Sequence, residues 1–480
     1  MKSMISNIVS KLLTPEIQFA DVRYTSNDKE VIYFQNKIFK AIHSEKNAES
    51  IGIRVLVNGT WGFAGLTSFN DYEIDKAIKK AIDNAKIGSF FRNDKIKLAK
   101  IPPIVDSYIF KPEIDPFTLD RDYKIGFLKN IAEKIHDDKR IINSSVYSQF
   151  YKQYKIYANT EGTFVDSLIY NTTGQFGIYT SNGKEVMRRT FPGSHVTERA
   201  GFEAILGYKM EDNIEKVKKE AIDLLDAPRI EEDTADLIID RSHLALTLHE
   251  SIGHATEADR IFGKEISYAG KTFVKPSMLG SFEYGSPAVN VYSDSTDKRG
   301  LGFHIVDDEG YPGQKVDIIK DGILVNQQTS REIAPLLGLS PSSNMKATNA
   351  DDIPLVRMTN FCLKPGSGSL KELIESTEKG YLINFTKTWS IDDNRNNFQF
   401  TTEIGWKIKD GQIVGIVKEP TYGAITSEFW NKCDKVCGEE EWKMQGVANC
   451  GKGEPGQTMY LSHGVAPARF RDVRVNIKTT

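Results

Sequence analysis

Residues 246–259, with the sequence LTLHESIGHATEAD, constrain the fold and function of this 480-residue chain more than any other stretch. Apolar residues recur there with the period of an α-helix, so one face of that helix must be buried; they are Leu244, Leu248, Ile252 and Ala255. Away from that stripe lie His249, Glu250 and His254, whose side chains bind metal ions or transfer protons. We therefore expect a helix that is half core and half functional site.

The spacing of the two histidines predicts a distorted helix. In the common HExxH motif the histidines lie four residues apart on one helical face, whereas this chain has HExxxH. On a regular helix five residues correspond to a rotation of about 140°, which would separate the two ligands. A π-type turn brings residues i and i+5 nearly into line, and Gly253 would tolerate an irregular backbone. The sequence therefore predicts an irregular turn between His249 and His254.

The spacing of the histidines does not identify the third metal ligand. A catalytic zinc ion usually has three protein ligands, and those available besides the two histidines are Cys450, Glu257, Asp259, His463 and His304. Cys450 lies in a glycine-rich stretch that permits a tight loop, and a cysteine thiolate binds zinc strongly. A different interpretation is a carboxylate-bridged iron site on an undistorted helix, formed by Glu250, His254 and Glu257. That site would need matching faces on other helices, and the sequence offers none.

Three further features carry weaker functional signals. Cys433 and Cys437 have the spacing of one helical face, but no additional cysteine or histidine lies nearby, so two ordinary thiols are favoured. Residues 307–309 form an acidic turn, and adjacent carboxylates are usually solvated. His463 follows the Cys450 loop, where it could bind the metal, donate to an oxyanion or cap a turn.

Composition narrows the class of protein. The hydrophobic content of 40% and charged content of 26% are ordinary for a soluble globular protein. A net charge of −3 offers no general attraction to nucleic acid or to an anionic membrane. No apolar run approaches the length of a membrane span, and four cysteines are too few for a disulfide framework. We expect a cytoplasmic protein without nucleic-acid or membrane partners.

The length of the chain and a change in pattern predict two domains. Residues 1–230 are expected to form an N-terminal mixed α+β domain with an antiparallel sheet. Residues 231–480 are expected to form a β-rich domain, curled or sandwich-like, that carries the metal site. Asn58 and Gly59 between two apolar runs predict a tight hairpin. Periodicity predicts helices over 3–13, 71–86, 119–137 and 211–225, and four short strands over 141–182 with a turn at 172–174.

The chain as a whole resembles the TldD/PmbA family of metallopeptidases. Five motifs carry the resemblance and occur in the family's order: HESIGHATEAD (249–259), VDDEGYPG (306–313), VRMTN (356–360), NFQFTTEIGWKIKDGQIV (397–414) and NCGKGEPGQ (449–457). Residues 51–64 of the first domain agree more loosely. Since the PmbA-type subunit lacks the metal motif, the chain resembles the TldD-type, active subunit. The spacer after Cys450 is longer than in the family pattern, and the pair Cys433 and Cys437 has no counterpart in it.

This resemblance implies a function and a set of site residues. His249, His254 and Cys450 match the zinc ligands, and Glu250 matches the catalytic glutamate, which we expect to act as general base. The implied substrates are short or unfolded peptides admitted as extended strands. The implied assembly is a homodimer or a heterodimer with a PmbA-type subunit. The alternative is a non-catalytic scaffold subunit that binds peptide or a partner through the same fold.

Overall fold

A computed structural model describes residues 1–136, 138–193, 196–268 and 270–477, and all elements given below belong to this part of the chain. The first half contains a seven-stranded sheet. Its strands are β1 (Phe19–Gln35), β2 (Ile38–Val57), β3 (Thr60–Leu66), β4 (Val105–Ile109), β5 (Ile141–Asn159), β6 (Phe164–Ser181) and β7 (Val186–Phe191). Their order is β3-β2-β1-β5-β6-β4, with β7 also paired to β6. Neighbours are antiparallel except β4, which runs parallel to β6.

Helices cover this sheet because their apolar stripes need a partner surface. They are α1 (Lys2–Lys11), α2 (Asp71–Ser89), α3 (Arg121–Ile135), α4 (Glu203–Gly207) and α5 (Ile214–Asp223). Helices α1 and α2 share one apolar cluster with β1, β2 and β3, while α3, α4 and α5 share another with β5 and β6. The predicted helices are confirmed within a few residues; Asp137, at the end of one of them, lies outside the described residues.

The prediction of four short strands over 141–182 is wrong, because β5 and β6 are continuous strands of 19 and 18 residues. Polar residues inside these strands have long-range partners instead of forming turns. The side chain of Gln153 donates to Asn27 on β1 at 3.0 Å, and Thr172, at the predicted turn, donates to the Ala200 carbonyl beside the sheet at 3.0 Å. The predicted hairpin is confirmed, since Asn58 and Gly59 have φ of 52° and 72°, as a tight turn between β2 and β3 requires.

The second half is built mainly from strands in several sheets, which confirms the α+β class and the β-rich prediction. A seven-stranded sheet has the order β17-β16-β15-β8-β22-β19 with β18 on β16; a six-stranded sheet has the order β11-β10-β9-β14-β21-β20; β12 pairs with β13. Their bounds are β8 (Thr234–Ile239), β9 (Val291–Asp294), β10 (Lys315–Lys320), β11 (Ile323–Leu324), β12 (Met345–Lys346), β13 (Leu355–Val356), β14 (Asn360–Leu363), β15 (Lys379–Ile391), β16 (Asn397–Lys409), β17 (Gln412–Lys418), β18 (Thr421–Ile425), β19 (Cys433–Val436), β20 (Lys443–Lys452), β21 (Gln457–Val465) and β22 (Ala468–Arg474).

Helix α6 (Arg241–Leu248) is the element around which these two sheets are arranged. It contacts β15 of the larger sheet and β20 and β21 of the smaller one. Short helices α7 (Leu370–Glu375) and α8 (Thr426–Asn431) lie further along the chain. Apolar side chains of α6 belong to one core cluster with both sheets, so the histidines that follow α6 are held at a fixed place between them.

The predicted boundary near residue 230 falls just before β8 and stays a prediction. The two halves pack on each other, because one apolar cluster joins Met187 and Leu224 of the first half to Ile404 of the second. In the described part of the chain, no helix combines the length and apolar character needed to cross a bilayer.

Candidate metal centre

The predicted irregular turn follows α6 directly. Asp240 accepts a hydrogen bond from the backbone of Arg241 at the start of the helix. After Leu248 the chain forms one π-helical turn, His249–Gly253, in which the backbone N–H of His254 donates to the carbonyl of His249. This i→i+5 bond brings the two imidazole rings together, with centroids 4.7 Å apart. The prediction from the HExxxH spacing is therefore confirmed.

Gly253 suits this turn for a different reason than the sequence suggested. Its φ of −54° and ψ of −63° are ordinary helical values, so no unusual backbone freedom is used. A Cβ atom at this position would instead lie 2.2 Å from the sulfur of Met358. The glycine therefore lets the π-helical turn pack closely against the VRMTN segment.

Cys450 reaches the two histidines from the neighbouring sheet. It lies on β20, where the pairing with β21 shifts register between Val447 and Cys450. Ligating atoms of His249, His254 and Cys450 all lie within 4.8 Å of one another, and all three residues are buried. The Cys450 Sγ is 3.6 Å from His254 Nε2. Two imidazole nitrogens and one thiolate are a donor set that suits zinc, so the residues present fit such an ion.

Hydrogen bonds behind the histidines orient their lone pairs toward this shared point. His463 Nδ1 donates to the carbonyl of Phe361 at 2.8 Å, so its Nε2 is left to accept from His249 Nδ1 at 2.7 Å. Glu257 accepts from His254 Nδ1 at 2.9 Å. These partners assign the proton to Nδ1 in both imidazoles and leave each Nε2 as an electron-pair donor. Burial lowers the pKa of both His249 and His254, which favours the neutral, ligating form.

Charge around the cysteine favours the thiolate. Burial by itself raises the pKa of Cys450, but opposing charges, the Arg357 guanidinium first among them, outweigh it, and the net pKa is lowered. Arg357 also donates to the Cys450 carbonyl. Burial likewise raises the pKa of Glu257, yet nearby cations, Lys452 first among them, bring it well below its ordinary value. The carboxylate behind His254 is therefore ionised.

The other residues proposed for the third ligand position lie elsewhere. Glu257 contacts the far side of the His254 ring and also pairs with Arg260, so the iron-site face expected on an undistorted helix is not formed. Asp259 pairs with Lys452 at 2.9 Å. His463 contacts His249 rather than the shared point, and His304 hydrogen-bonds Ser343 at 2.9 Å.

Glu250 and the three converging residues line one cleft of about 550 Å³. A carboxylate oxygen of Glu250 accepts a hydrogen bond from Arg395 at 2.9 Å. Arg395 lies in the turn between β15 and β16, and sequence reasoning missed it. Nothing local could have revealed the contact, because 145 residues separate the two partners.

The structure agrees with the prediction of two ordinary thiols at Cys433 and Cys437, but it contradicts the prediction of a solvated acidic turn at 307–309. Cys433 begins β19 and Cys437 follows that strand, so the two thiols do not share a helical face. Burial raises the pKa of each to about 12, which makes them inert thiols. The acidic turn at 307–309 is buried rather than solvated, because the cations Arg54 and Lys155 of the first half and backbone donors of the second half surround it.

The fold and this centre together define a class of protein: an α+β chain whose buried histidine–histidine–cysteine group adjoins a carboxylate, as in metallohydrolases. Residues 232–476 match the family model described as the PmbA/TldA metallopeptidase C-terminal domain, and residues 20–85 match its domain 1. The chain belongs to this PmbA/TldD metallopeptidase family.

Relatives and a solved structure are similar over almost the whole chain. A protein of Methanocaldococcus jannaschii named a metalloprotease is 27% identical over 93% of this chain and 94% of its own length. A zinc metalloprotease TldD homolog of Saccharolobus solfataricus is 21% identical over 95% of this chain and 96% of its own length. The crystal structure of TldE from Thermococcus kodakarensis has the same fold, with a TM-score of 0.69, 15% identity and coverage of 98% and 99% of the two chains.

Proposed function

We propose that this protein is a zinc-dependent peptidase that hydrolyses peptide bonds in short or unfolded peptides. The observation that carries the proposal is the convergence of the ligating atoms of His249, His254 and Cys450 within 4.8 Å, in the same cleft as Glu250. The names of the metalloprotease relatives support the reaction class, and the zinc metalloprotease name of one relative supports the metal.

In this proposal His249, His254 and Cys450 hold the zinc ion. The bound ion would supply Lewis-acid polarisation of the scissile carbonyl and would acidify a water molecule. Glu250 accepts the proton of the attacking water and then delivers it to the departing amine. His463 and Glu257 keep the two imidazoles in the ligating tautomer throughout.

The substrate class follows from the strand beside the cleft. The pairing of β8 with β15 covers Gly380–Ile383 only, whereas β15 continues to Ile391. Several residues of this continuation, from Thr386 to Ile391, line the cleft. Arg188 donates to the Thr386 and Lys387 carbonyls at the start of this continuation, and beyond them no strand of the described residues pairs with β15 on the side away from β16. An extended peptide can add to such a strand edge through main-chain hydrogen bonds, which requires an unfolded or short substrate.

The proposed assembly is a dimer, either of two copies of this chain or with a PmbA-type subunit. The fold shared with TldE supports it. Light scattering of the purified chain, alone and mixed with a PmbA-type protein, distinguishes these two assemblies from a monomer.

The test combines zinc content with hydrolysis of a generic unfolded protein. Glu250→Gln should keep its zinc but lose about 10²–10⁴-fold in turnover, because the base is removed and the ligands remain. Cys450→Ser should lose zinc, measured by mass spectrometry of the metal. Cys433→Ser is the matched control, since that buried thiol lies outside the centre, and it should keep both properties.

Other outcomes would favour the alternatives. A wild-type protein that binds zinc and peptide but cleaves nothing would be a scaffold subunit. Bound iron with visible absorption in place of zinc would indicate an oxidoreductase. Unchanged zinc content in Cys450→Ser would place the third ligand elsewhere.

A further inference from the structure

Among the described residues, three Lys or Arg side chains line the cleft of the candidate metal centre, and two of them pair with glutamates that lie outside the cleft. Arg188 donates to Glu403 at 2.8 Å and to the Thr386 carbonyl at 2.7 Å. Lys387 pairs with Glu419. Neither glutamate lines the cleft, so these two cations are tied to the scaffold that supports β15.

The third cation, Arg395, differs because its carboxylate partner is itself a cleft residue. Arg395 Nη1 lies 2.9 Å from Glu250 Oε2, and both side chains border the same space, with exposures of 12% and 11%. The pairing therefore joins a cation to the proposed general base within the cleft.

The backbone that carries Arg395 is well fixed. Asp392 accepts a hydrogen bond from the Asn396 backbone at 2.7 Å, and Thr426 donates to the Arg395 carbonyl at 2.8 Å. The fixed backbone keeps the guanidinium of Arg395 within the cleft, and the long side chain allows the guanidinium to exchange one carboxylate partner for another. Guanidinium groups match carboxylates in a two-point geometry, which makes such exchange specific for a planar acid.

From this geometry we infer that Arg395 recognises a carboxylate of the peptide substrate, an acidic side chain or the C-terminus near the scissile bond. The substrate carboxylate takes the place of Glu250 beside Arg395, and Glu250 is released to act as the base. A neutral peptide leaves the Arg395–Glu250 pair intact and is bound more weakly. This inference rests on the proposed peptidase function and names its substrate class.

The test measures peptide binding separately from cleavage. Fluorescently labelled peptides that differ only in one Glu or Gln are titrated into the zinc-loaded Glu250→Gln protein, which cannot turn them over. The Glu peptide should bind about tenfold more tightly or better, the range expected for a hydrogen bond to a charged group. Adding Arg395→Gln should remove the preference, and Arg395→Lys should keep part of it. Arg299→Gln, at an exposed arginine paired with Asp297, is the matched control and should change nothing.

Equal binding of the two peptides, or a preference that survives Arg395→Gln, would overturn the inference while leaving the peptidase proposal intact. Selective binding without any hydrolysis by the wild-type protein would sink the peptidase proposal and keep the charge recognition. If Arg395→Gln fails to fold, binding of the two peptides to the Glu250→Gln protein at low and high salt decides, because a preference for the Glu peptide that comes from a carboxylate–guanidinium pair must shrink as ionic strength rises. A preference that is the same at both salt concentrations would overturn the inference.

Discussion

Two buried polar clusters in this protein contain similar residue types but differ in how their polar atoms are paired. In the cluster at the 307–309 turn, opposite charges face each other across the two halves of the chain. Arg54 of β2 donates to Asp21 of β1 at 2.8 and 2.6 Å and lies 3.5 Å from Glu309. Lys155 of β5 pairs with Asp308 at 2.5 Å. These ion pairs join the first sheet to the second half of the chain, although one carboxylate oxygen each of Asp21 and Asp308 has no hydrogen-bond partner among the described residues.

In the cluster at the candidate metal centre, the polar atoms are paired on one side of each ring only. His463 and Glu257 occupy the outer nitrogens of His249 and His254, and the inner nitrogens face Cys450. Partners on one side of each ring leave donor atoms on the other side for a ligand. The comparison teaches that burial and charge do not mark a functional site; the direction in which the polar atoms are satisfied does.

The largest expected effect is a loss of folding stability when the cluster at the 307–309 turn loses one of its cations. Arg54→Met leaves the buried carboxylate of Asp21 without its main partner, and loss of one member of a buried ion pair costs about 3–5 kcal/mol. Chemical unfolding should show this loss, while zinc content below the transition stays at the wild-type level. Arg299→Met at an exposed pair is the control. Unchanged stability would mean that the cluster does not hold the two halves together.

A smaller effect should come from the residue behind His249. His463→Leu leaves the ring of His249 without its acceptor, and loss of such an outer partner lowers metal affinity by about 10–100-fold. Competition with a chelator measures the affinity. His463→Gln, which can still accept from His249, should recover part of it. Equal zinc affinity in all three proteins would show that His463 is only a packing residue.

The comparison also explains what the sequence could predict. The apolar stripe and the HExxxH spacing predicted both the helix and its irregular turn, because these depend on neighbours a few residues away. The hairpin at Asn58 and Gly59 was predicted for the same reason. Cys450 remained one of five possible third ligands until the family resemblance favoured it, since 196 residues separate it from His254.

The remaining errors have one physical source, which is that long-range partners decide the environment of polar residues. The 307–309 turn was expected in solvent, yet Arg54, 254 residues before Asp308, donates to the carbonyl of Asp308. Thr172 suggested a turn, but its hydroxyl donates to the carbonyl of Ala200, 28 residues further along the chain. The partner of Arg395 lies 145 residues away. None of these pairings has a local signature.

The smallest expected effect is on the pH dependence of folding stability, through His304, which lies beside the cluster at the 307–309 turn. His304 is half-buried, accepts or donates one hydrogen bond with Ser343 and lies before the 307–309 turn. Burial and the nearby Lys346 lower the pKa of His304 to about 3 from an ordinary value of 6.5. Between these two pH values the unfolded chain binds more protons than the folded protein, so stability falls as the pH decreases.

This contribution should amount to about 1 kcal/mol between pH 6.5 and pH 5.5, from the linkage of one proton. His304→Gln removes the titrating group, so its melting temperature should decrease less than that of the wild type over the same interval. His43→Gln is the matched control, because the side chain of His43 stays exposed in the folded protein. Should His304→Gln lose stability in acid as steeply as the wild type, the acid sensitivity would come from the buried carboxylates of the cluster and not from this histidine.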